Sequence, residues 1–339
     1  AAVRPQDLAV LLYSSGTTGL PKPIGLSHEN LKTNAVALSS EWGLRESDVL
    51  LHVLPMYHIH GLLISLNAVL LSGANLIATA KFSVEEVMNY LERATIFMGV
   101  PTYYYRILNN PMLKKIDYSK IRLFISGSAP LSEAILAQFK GFTGHTILER
   151  YGMTETGVIS SNPVLGKRKP GSVGKAISTV SLQVRSTADG EVGEVWVKGK
   201  SVSQMVCEED GWFRTGDLGY LDDEDYLYLV GRSKDMIITG GMNVYPKEIE
   251  KELELILPGR EIAVFGVPHS DFGEAVVAAV TGPRMKNDEI EKNLQTLKSR
   301  IVNYKIPKAI FNIKSLPTNV MGKVQKNILR DKFQGFFEV

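Results

Sequence analysis

Residues 14–22, Ser-Ser-Gly-Thr-Thr-Gly-Leu-Pro-Lys, place hydroxyls, glycines and a lysine directly after a short apolar run. Ser14, Ser15, Thr17 and Thr18 are hydroxyl donors, Gly16 and Gly19 let backbone N–H groups approach anionic oxygens, and Lys22 adds a compact positive charge. That is chemistry for a polyphosphate, although the spacing is not the Walker one, and such a stretch is otherwise an ordinary solvated loop. Further along, Glu149-Arg150 precedes Tyr151-Gly152-Met153-Thr154-Glu155-Thr156. A guanidinium pairs with a carboxylate through two parallel hydrogen bonds, so Arg150 suits an acidic substrate or a local salt bridge to Glu149 or Glu155. Glu155 offers the hard oxygen that Mg²⁺ takes; with Thr154 it also reads as a capping pair at a helix start. His58 and His60 alternate without Cys or carboxylate support, so they are not read as a metal pair.

Strand and helix patterns must position these groups. Residues 8–13 read as a buried strand feeding the hydroxyl-rich loop, and residues 27–38 as the helix that follows. Strand-like runs at 49–54, 75–79, 96–100 and 122–125 alternate with helical patterns at 84–94 and 132–139, which predicts α/β layering. The apolar stretch 61–80, interrupted by Ser65, Asn67, Ser72, Gly73 and Asn75, reads as a buried helix running into a strand rather than a membrane span. Beyond residue 170, short alternating segments at 181–185, 193–198 and 226–230 predict an antiparallel β unit. A compact α+β unit follows, with a helix at 246–256 and strands at 262–267 and 276–281.

With 339 residues, the chain predicts at least two domains. Lys+Arg at 38 against Asp+Glu at 36 gives a formal charge of +2, which advertises neither nucleic acid nor membrane binding. The single cysteine, Cys207, leaves no internal disulfide framework and no multi-cysteine zinc site. A cytoplasmic setting is expected, with the mitochondrial matrix as the alternative.

The loop at 14–22, the run 151–156, Thr215-Gly216-Asp217, Gly231-Arg232 and Gly322-Lys323, in that order, closely resemble the motifs of the adenylate-forming superfamily, which includes acyl-CoA synthetases, luciferases and peptide-synthetase adenylation domains. The resemblance covers essentially the whole chain. It implies a large core of layered α/β and β-subdomain structure over 1–231, a small mobile α+β domain over 232–339, and a hinge near Lys234. It also implies ATP, Mg²⁺ and coenzyme A: a carboxylate joins the α-phosphorus of ATP, pyrophosphate leaves, and the acyl group passes to the thiol. By the same resemblance Lys323 is the catalytic lysine, Thr154 touches phosphate and Glu155 holds Mg²⁺. Tyr151 and Gly152 meet the adenine, and Asp217 and Arg232 the ribose. Gly240 and Gly241 lie along the pantetheine path or form a plain tight turn. His58, Ser126 and Gly127 line the acyl pocket. Within the superfamily, 125–131, 148–156, 231–249 and 321–330 look most like the malonyl-CoA synthetases, which implies that Arg150 binds the distal carboxylate of malonate or methylmalonate, with Arg106 a second candidate.

Three departures stand out. Pro23 follows Lys22 where the family usually has glycine, the stretch between Val202 and Trp212 is shorter than in relatives, and the front portion of a full-length relative is expected to be missing. The alternatives are therefore a ligase for a short or medium monocarboxylate and a noncatalytic remnant that binds nucleotide at most.

Overall fold

In the computed structural model the described residues are 2–14, 22–186, 191–319 and 323–337, with the Ser14 side chain outside the description. Strand β1 (Leu8–Ser14) pairs antiparallel with β2 (Lys22–Ser27), closing at Ser14 opposite Lys22. The expected strand, loop and helix therefore contain a second strand, hidden in the sequence because Pro23 and Gly25 dilute its apolar character. The first strand is also less buried than its composition predicts, with Leu8 61% and Tyr13 66% exposed.

Ser27 ends β2 and caps helix α1 (His28–Glu41), accepting from Asn30 N while the Asn30 side chain accepts from Ser27 N at 2.8 Å. This reciprocal cap satisfies two otherwise orphaned amides. The inner face of α1 carries asparagines rather than a full apolar stripe. Asn34 bonds both the carbonyl and the amide of Val158, and Asn30 bonds the carbonyls of Lys200 and Val202. These buried amides tie the helix to the backbone of β8 and of the 200–202 segment.

The central sheet has seven strands in the order β4-β3-β5-β6-β7-β8-β9, formed by Val49–His52 (β3), Asn75–Ala78 (β4), Ile96–Gly99 (β5), Leu123–Ser126 (β6), Leu148–Met153 (β7), Gly157–Ser161 (β8) and Lys175–Ala176 (β9). From β4 to β7 neighbours run parallel, and β7, β8 and β9 are antiparallel. Parallel pairing requires crossovers, supplied by α2 (Leu66–Ser72), α3 (Val84–Tyr90), α4 (Pro101–Leu108) and α5 (Glu133–Thr143). Residues 60–72 form one helical segment whose first part, His60–Ser65, is a π-helical turn. It is not buried throughout: Leu70 and Leu71 face outward at 66% and 50% exposure.

Phe97, Tyr104, Phe124 and Phe139 make an aromatic core under β5 and β6, with edge-on ring contacts of 4.8 to 6.1 Å. Tyr104 donates to the Ile125 carbonyl at 2.7 Å, which anchors the end of β6 where the chain enters the loop after Ser126. A four-stranded sheet follows in the order β10 (Val180–Arg185), β11 (Gly193–Gly199), β12 (Phe213–Leu221), β13 (Leu227–Arg232).

By contact density the chain divides into residues 1–215 with 220–229, and residues 216–219 with 230–339. The second unit carries strands β14 (Ile237–Thr239), β15 (Met242–Val244), β16 (Ile262–His269), β17 (Gly273–Val280) and β18 (Ala309–Asn312) in one sheet, with helices α6 (Pro246–Ile256), α7 (Asn287–Lys298) and α8 (Lys326–Phe333). Its strands are apolar on both faces. Ile262 and Val264 pack with Ile249, Leu253 and Leu297 on one side, while Ala263, Phe265 and Val267 pack with Leu329 on the other, as the two-residue repeat of a strand demands. No helix among the described residues is long and apolar enough to cross a membrane.

Candidate functional site

The first unit gathers a buried polar cluster at the end of β6 and within β7. Arg150, the third residue of β7, is 4% exposed, and its Nε and Nη2 have no hydrogen-bond partner among the described residues. Burial alone pulls this guanidinium down to about 10 from an ordinary 12.5. Among the described residues it forms no ion pair, with Glu149 and Glu155 or with any other carboxylate, so it is a desolvated cation. Such a group is costly unless paired. Arg106, the other arginine considered, is exposed on the last turn of α4.

Gly127 makes room for Arg150: a β-carbon there would stand 2.4 Å from Nε and 2.5 Å from Cζ. Ser126, 1% exposed, holds an unpartnered Oγ at the end of β6. His58 and His60 enter from the loop after β3. His58 Nδ1 accepts from the His60 amide at 3.2 Å, and burial, followed by the charge of Arg150, lowers His58 to about 4. His60 is wholly buried, with Nδ1 3.2 Å from Ser128 Oγ and Nε2 unpartnered. Ser128 was not singled out from sequence; the only signal was its place in the polar run Ser-Gly-Ser directly after a strand.

Thr154 and Glu155 occupy the turn between β7 and β8, not a helix start, so the capping alternative is set aside. Both are half-buried, and the Glu155 carbonyl accepts from the Ser203 amide at 2.8 Å. That bond, with Ser203 Oγ donating to the Gly25 carbonyl at 2.6 Å, ties the short 202–212 connection to β2 and to this turn. Tyr151 is 8% exposed. Gly152 sits at an irregularity in the hairpin, where a β-carbon would meet the Gly157 carbonyl at 2.2 Å; packing by itself accounts for this glycine. Among the described residues no three His, Cys, Asp or Glu side chains cluster as a metal set. A Mg²⁺ ion fits here only as that ion is commonly held, by one carboxylate with phosphate and water oxygens completing its shell. Ser15, Gly16, Thr17, Thr18 and Gly19 lie outside the described residues, as does the Ser14 side chain; Lys22 is exposed at the head of β2.

The second unit holds a charged cluster of its own. Asp217, buried at 6%, pairs with Arg232 at 2.8 Å from Nε to Oδ1. Lys234 lies on a short 3₁₀ turn, Ser233–Asp235, whose Lys234 carbonyl accepts from Arg330 at 3.2 Å. Lys323 reaches the surface, yet surrounding atoms strip much of its hydration; that desolvation first, and then Arg232 and Lys234, bring it to about 8 against the pull of Asp217 and Asp235. Arg232, Lys234 and Lys323 thus gather positive charge beside two carboxylates, Asp217 and Asp235. Gly240 and Gly241 join β14 to β15 with φ of 57° and 77°. Two successive positive φ values are what a two-residue hairpin turn requires, so the turn explains both glycines.

Residues 1–206 match the family described as AMP-binding enzyme, and residues 248–323 match the AMP-binding enzyme C-terminal domain. The long-chain-fatty-acid–CoA ligase of Bacillus subtilis (strain 168) is 34% identical over 96% of this chain and 62% of its own length. The malonate–CoA ligase of Arabidopsis thaliana is 33% identical over 97% of this chain and 61% of its own length. The crystal structure of ATP-bound MatB from Rhodopseudomonas palustris superposes with a TM-score of 0.93 at 43% identity, covering 98% of this chain and 70% of that one. The chain therefore spans about three fifths of the length of these curated relatives.

Proposed function

This chain belongs to the AMP-binding enzyme family, and from that premise we propose that it performs the chemistry of an ATP-dependent acid–CoA ligase whose acid is a small dicarboxylate, malonate or methylmalonate. The observation that carries the choice of acid is Arg150: a buried guanidinium with two nitrogens that have no hydrogen-bond partner, and with no ion pair, among the described residues. A dicarboxylate supplies the missing charge with one end and keeps the other for reaction. A fatty acid would leave the cation bare.

In the first half-reaction a carboxylate oxygen attacks the α-phosphorus of ATP and the bond to pyrophosphate breaks. The crowded negative charge of that step calls for fixed cations. Lys323 supplies one, at the acyl oxygen and α-phosphate, and Arg232 holds the Asp217 carboxylate in place for the ribose hydroxyls. Thr154 and Lys22 meet phosphate, as do Ser14, Ser15, Gly16, Thr17, Thr18 and Gly19, and Tyr151 and Gly152 meet the adenine. Glu155 would hold Mg²⁺, which supplies charge neutralisation on the phosphates. In the second half-reaction the thiol of coenzyme A attacks the acyl carbon and AMP leaves, with Lys234 as the hinge between the two steps and Gly240 and Gly241 beside the pantetheine arm. The lone Cys207 suits a reducing compartment, the cytoplasm or the mitochondrial matrix.

Similarity to the Bacillus subtilis long-chain enzyme supports a second reading, a monocarboxylate ligase. Pyrophosphate release with ATP and Mg²⁺, offering malonate, methylmalonate, acetate and octanoate in parallel with Lys323→Ala as control, separates the two. Release with malonate or methylmalonate, lost in the control, is expected; release with octanoate instead sinks the dicarboxylate reading.

A further inference from the structure

Arg150 is not the sole unfilled polar group in its pocket. His60 is wholly buried at the head of the π-helical turn, and among the described residues its ring is engaged on one edge only: Nδ1 is 3.2 Å from Ser128 Oγ, while Nε2 has no partner there. Ser128 itself holds φ at +72°, a left-handed conformation that any residue with a β-carbon disfavours. A glycine would sit there without strain, yet a hydroxyl stands at the one place from which it reaches the imidazole.

We propose that Ser128 is a positioning residue: its hydroxyl donates to His60 Nδ1, fixes the tautomer with hydrogen on Nε2, and so makes His60 a neutral donor beside Arg150 for the distal carboxylate of the substrate. The proposal rests on the dicarboxylate reading of this pocket for its ligand, but not for its tautomer.

Proton counting carries the argument. A neutral imidazole has one N–H. With that hydrogen on Nδ1, the ring would donate to Ser128 and turn a lone pair toward the space that Arg150 prepares for an anion. With the Ser128 hydroxyl donating instead, the remaining hydrogen sits on Nε2, a donor without a partner among the described residues, as are Nε and Nη2 of the nearby Arg150. A doubly protonated ring is excluded by its surroundings. Burial, and then the facing charges of Arg150, His58 and His52, hold His60 well below the ordinary histidine range. A neutral donor adds a hydrogen bond without a second cation, so one guanidinium still balances one carboxylate. The geometry also keeps Ser126 Oγ, likewise unpartnered, available to the same ligand.

The test uses the full 339-residue chain with ¹⁵N-labelled histidine, the His60 signal being assigned with His60→Gln. Without substrate, His60 should show protonated Nε2 and unprotonated Nδ1, and Ser128→Gly, which relieves the backbone and keeps the fold, should shift it toward the other tautomer. A wild-type ring protonated on Nδ1, or a tautomer indifferent to Ser128→Gly, overturns the proposal. In kinetics the same variant should raise KM for the dicarboxylate about 10-fold, the worth of one hydrogen bond to a charged group, with kcat and the KM for ATP unchanged. A parallel fall in kcat and rise in the KM for ATP would mark Ser128 as merely structural and overturn it. If the tautomer is as expected but Arg150→Ala leaves the preferred acid unaffected, the dicarboxylate reading falls, and with it the ligand assigned to His60, while the hold of Ser128 on the ring stands.

Discussion

Replacing Arg150 by methionine removes the charge while filling much of the side chain's volume, and the structure sets the sizes of two opposite effects. Burial holds the guanidinium at about 10 against an ordinary 12.5, which corresponds to about 3 kcal/mol of unfavourable desolvation carried by the ligand-free fold. The sign is that of a base whose proton affinity is lowered on folding: the cost is complete at every pH below the folded value, so at neutral pH all of it is present, and it fades only as pH rises through 10. Arg150→Met relieves that cost. At roughly 2–4 °C per kcal/mol for a domain of this size, and allowing for the packing that methionine does not restore, the ligand-free melting temperature should rise by about 5 °C. The same change deletes the partner of a desolvated carboxylate, worth about 2–5 kcal/mol, so kcat/KM for malonate should fall about 10²–10³-fold. Malonate should raise the melting temperature of the parent chain and leave that of the variant unchanged. Thermal melts with and without malonate, beside pyrophosphate release, measure all three quantities. A variant that melts several degrees lower than its parent, or that keeps malonate turnover within about fivefold, would refute the picture of a bare cation awaiting its anion.

Lys323 loses its proton near pH 8 in the ligand-free chain, because desolvation and the neighbouring Arg232 and Lys234 favour the neutral amine. The acid-side plateau of kcat/KM should therefore give way to a decline through about pH 8, and Lys323→Arg, slower throughout, should lack that decline; a profile flat to pH 9.5 in the parent would contradict the assignment. Gly241 has φ of +77° with nothing within 4 Å of an added β-carbon, so Gly241→Ala should cost about 1 kcal/mol from backbone strain alone and leave pyrophosphate release unchanged. Melting curves and the adenylation rate check this together, and a slowed adenylation would show that the turn does more than reverse the chain.

The helix at 246–256 is readable to its ends because Pro246 at its first turn and the spacing of Ile249 and Leu253 carry both a start signal and a buried face. Alternation of strand and helix patterns between 49 and 143 likewise makes the parallel sheet legible. What sequence could not convey is long-range and polar. Strand β2 is masked by proline and glycine and exists through its pairing with β1. Helix α1 buries Asn30 and Asn34, residue types that ordinarily face solvent, because strand and loop carbonyls need donors there. At the site, Arg150 stood out by chemical type, but its lack of an ion pair among the described residues is a property of packing. His60 was weighed only as half of a metal pair and set aside, since the partner of its ring, Ser128, lies far off in sequence.

The π-helical turn at His60–Ser65 has a consequence for how such a pocket can be gained or lost. A wide turn of this kind is the trace of one surplus residue accommodated in an otherwise regular helix. Here its slack is taken up by Ser65, whose hydroxyl reaches back to the His60 carbonyl at 2.7 Å. Deleting a single residue from the turn would let regular winding resume into α2 and swing the residues before it by about 100° around the helix axis. The imidazole would leave the pocket while the hydrophobic core below stayed filled. One codon thus separates two placements of the same imidazole, so the surroundings of Arg150 can change in a step rather than by gradual reshaping.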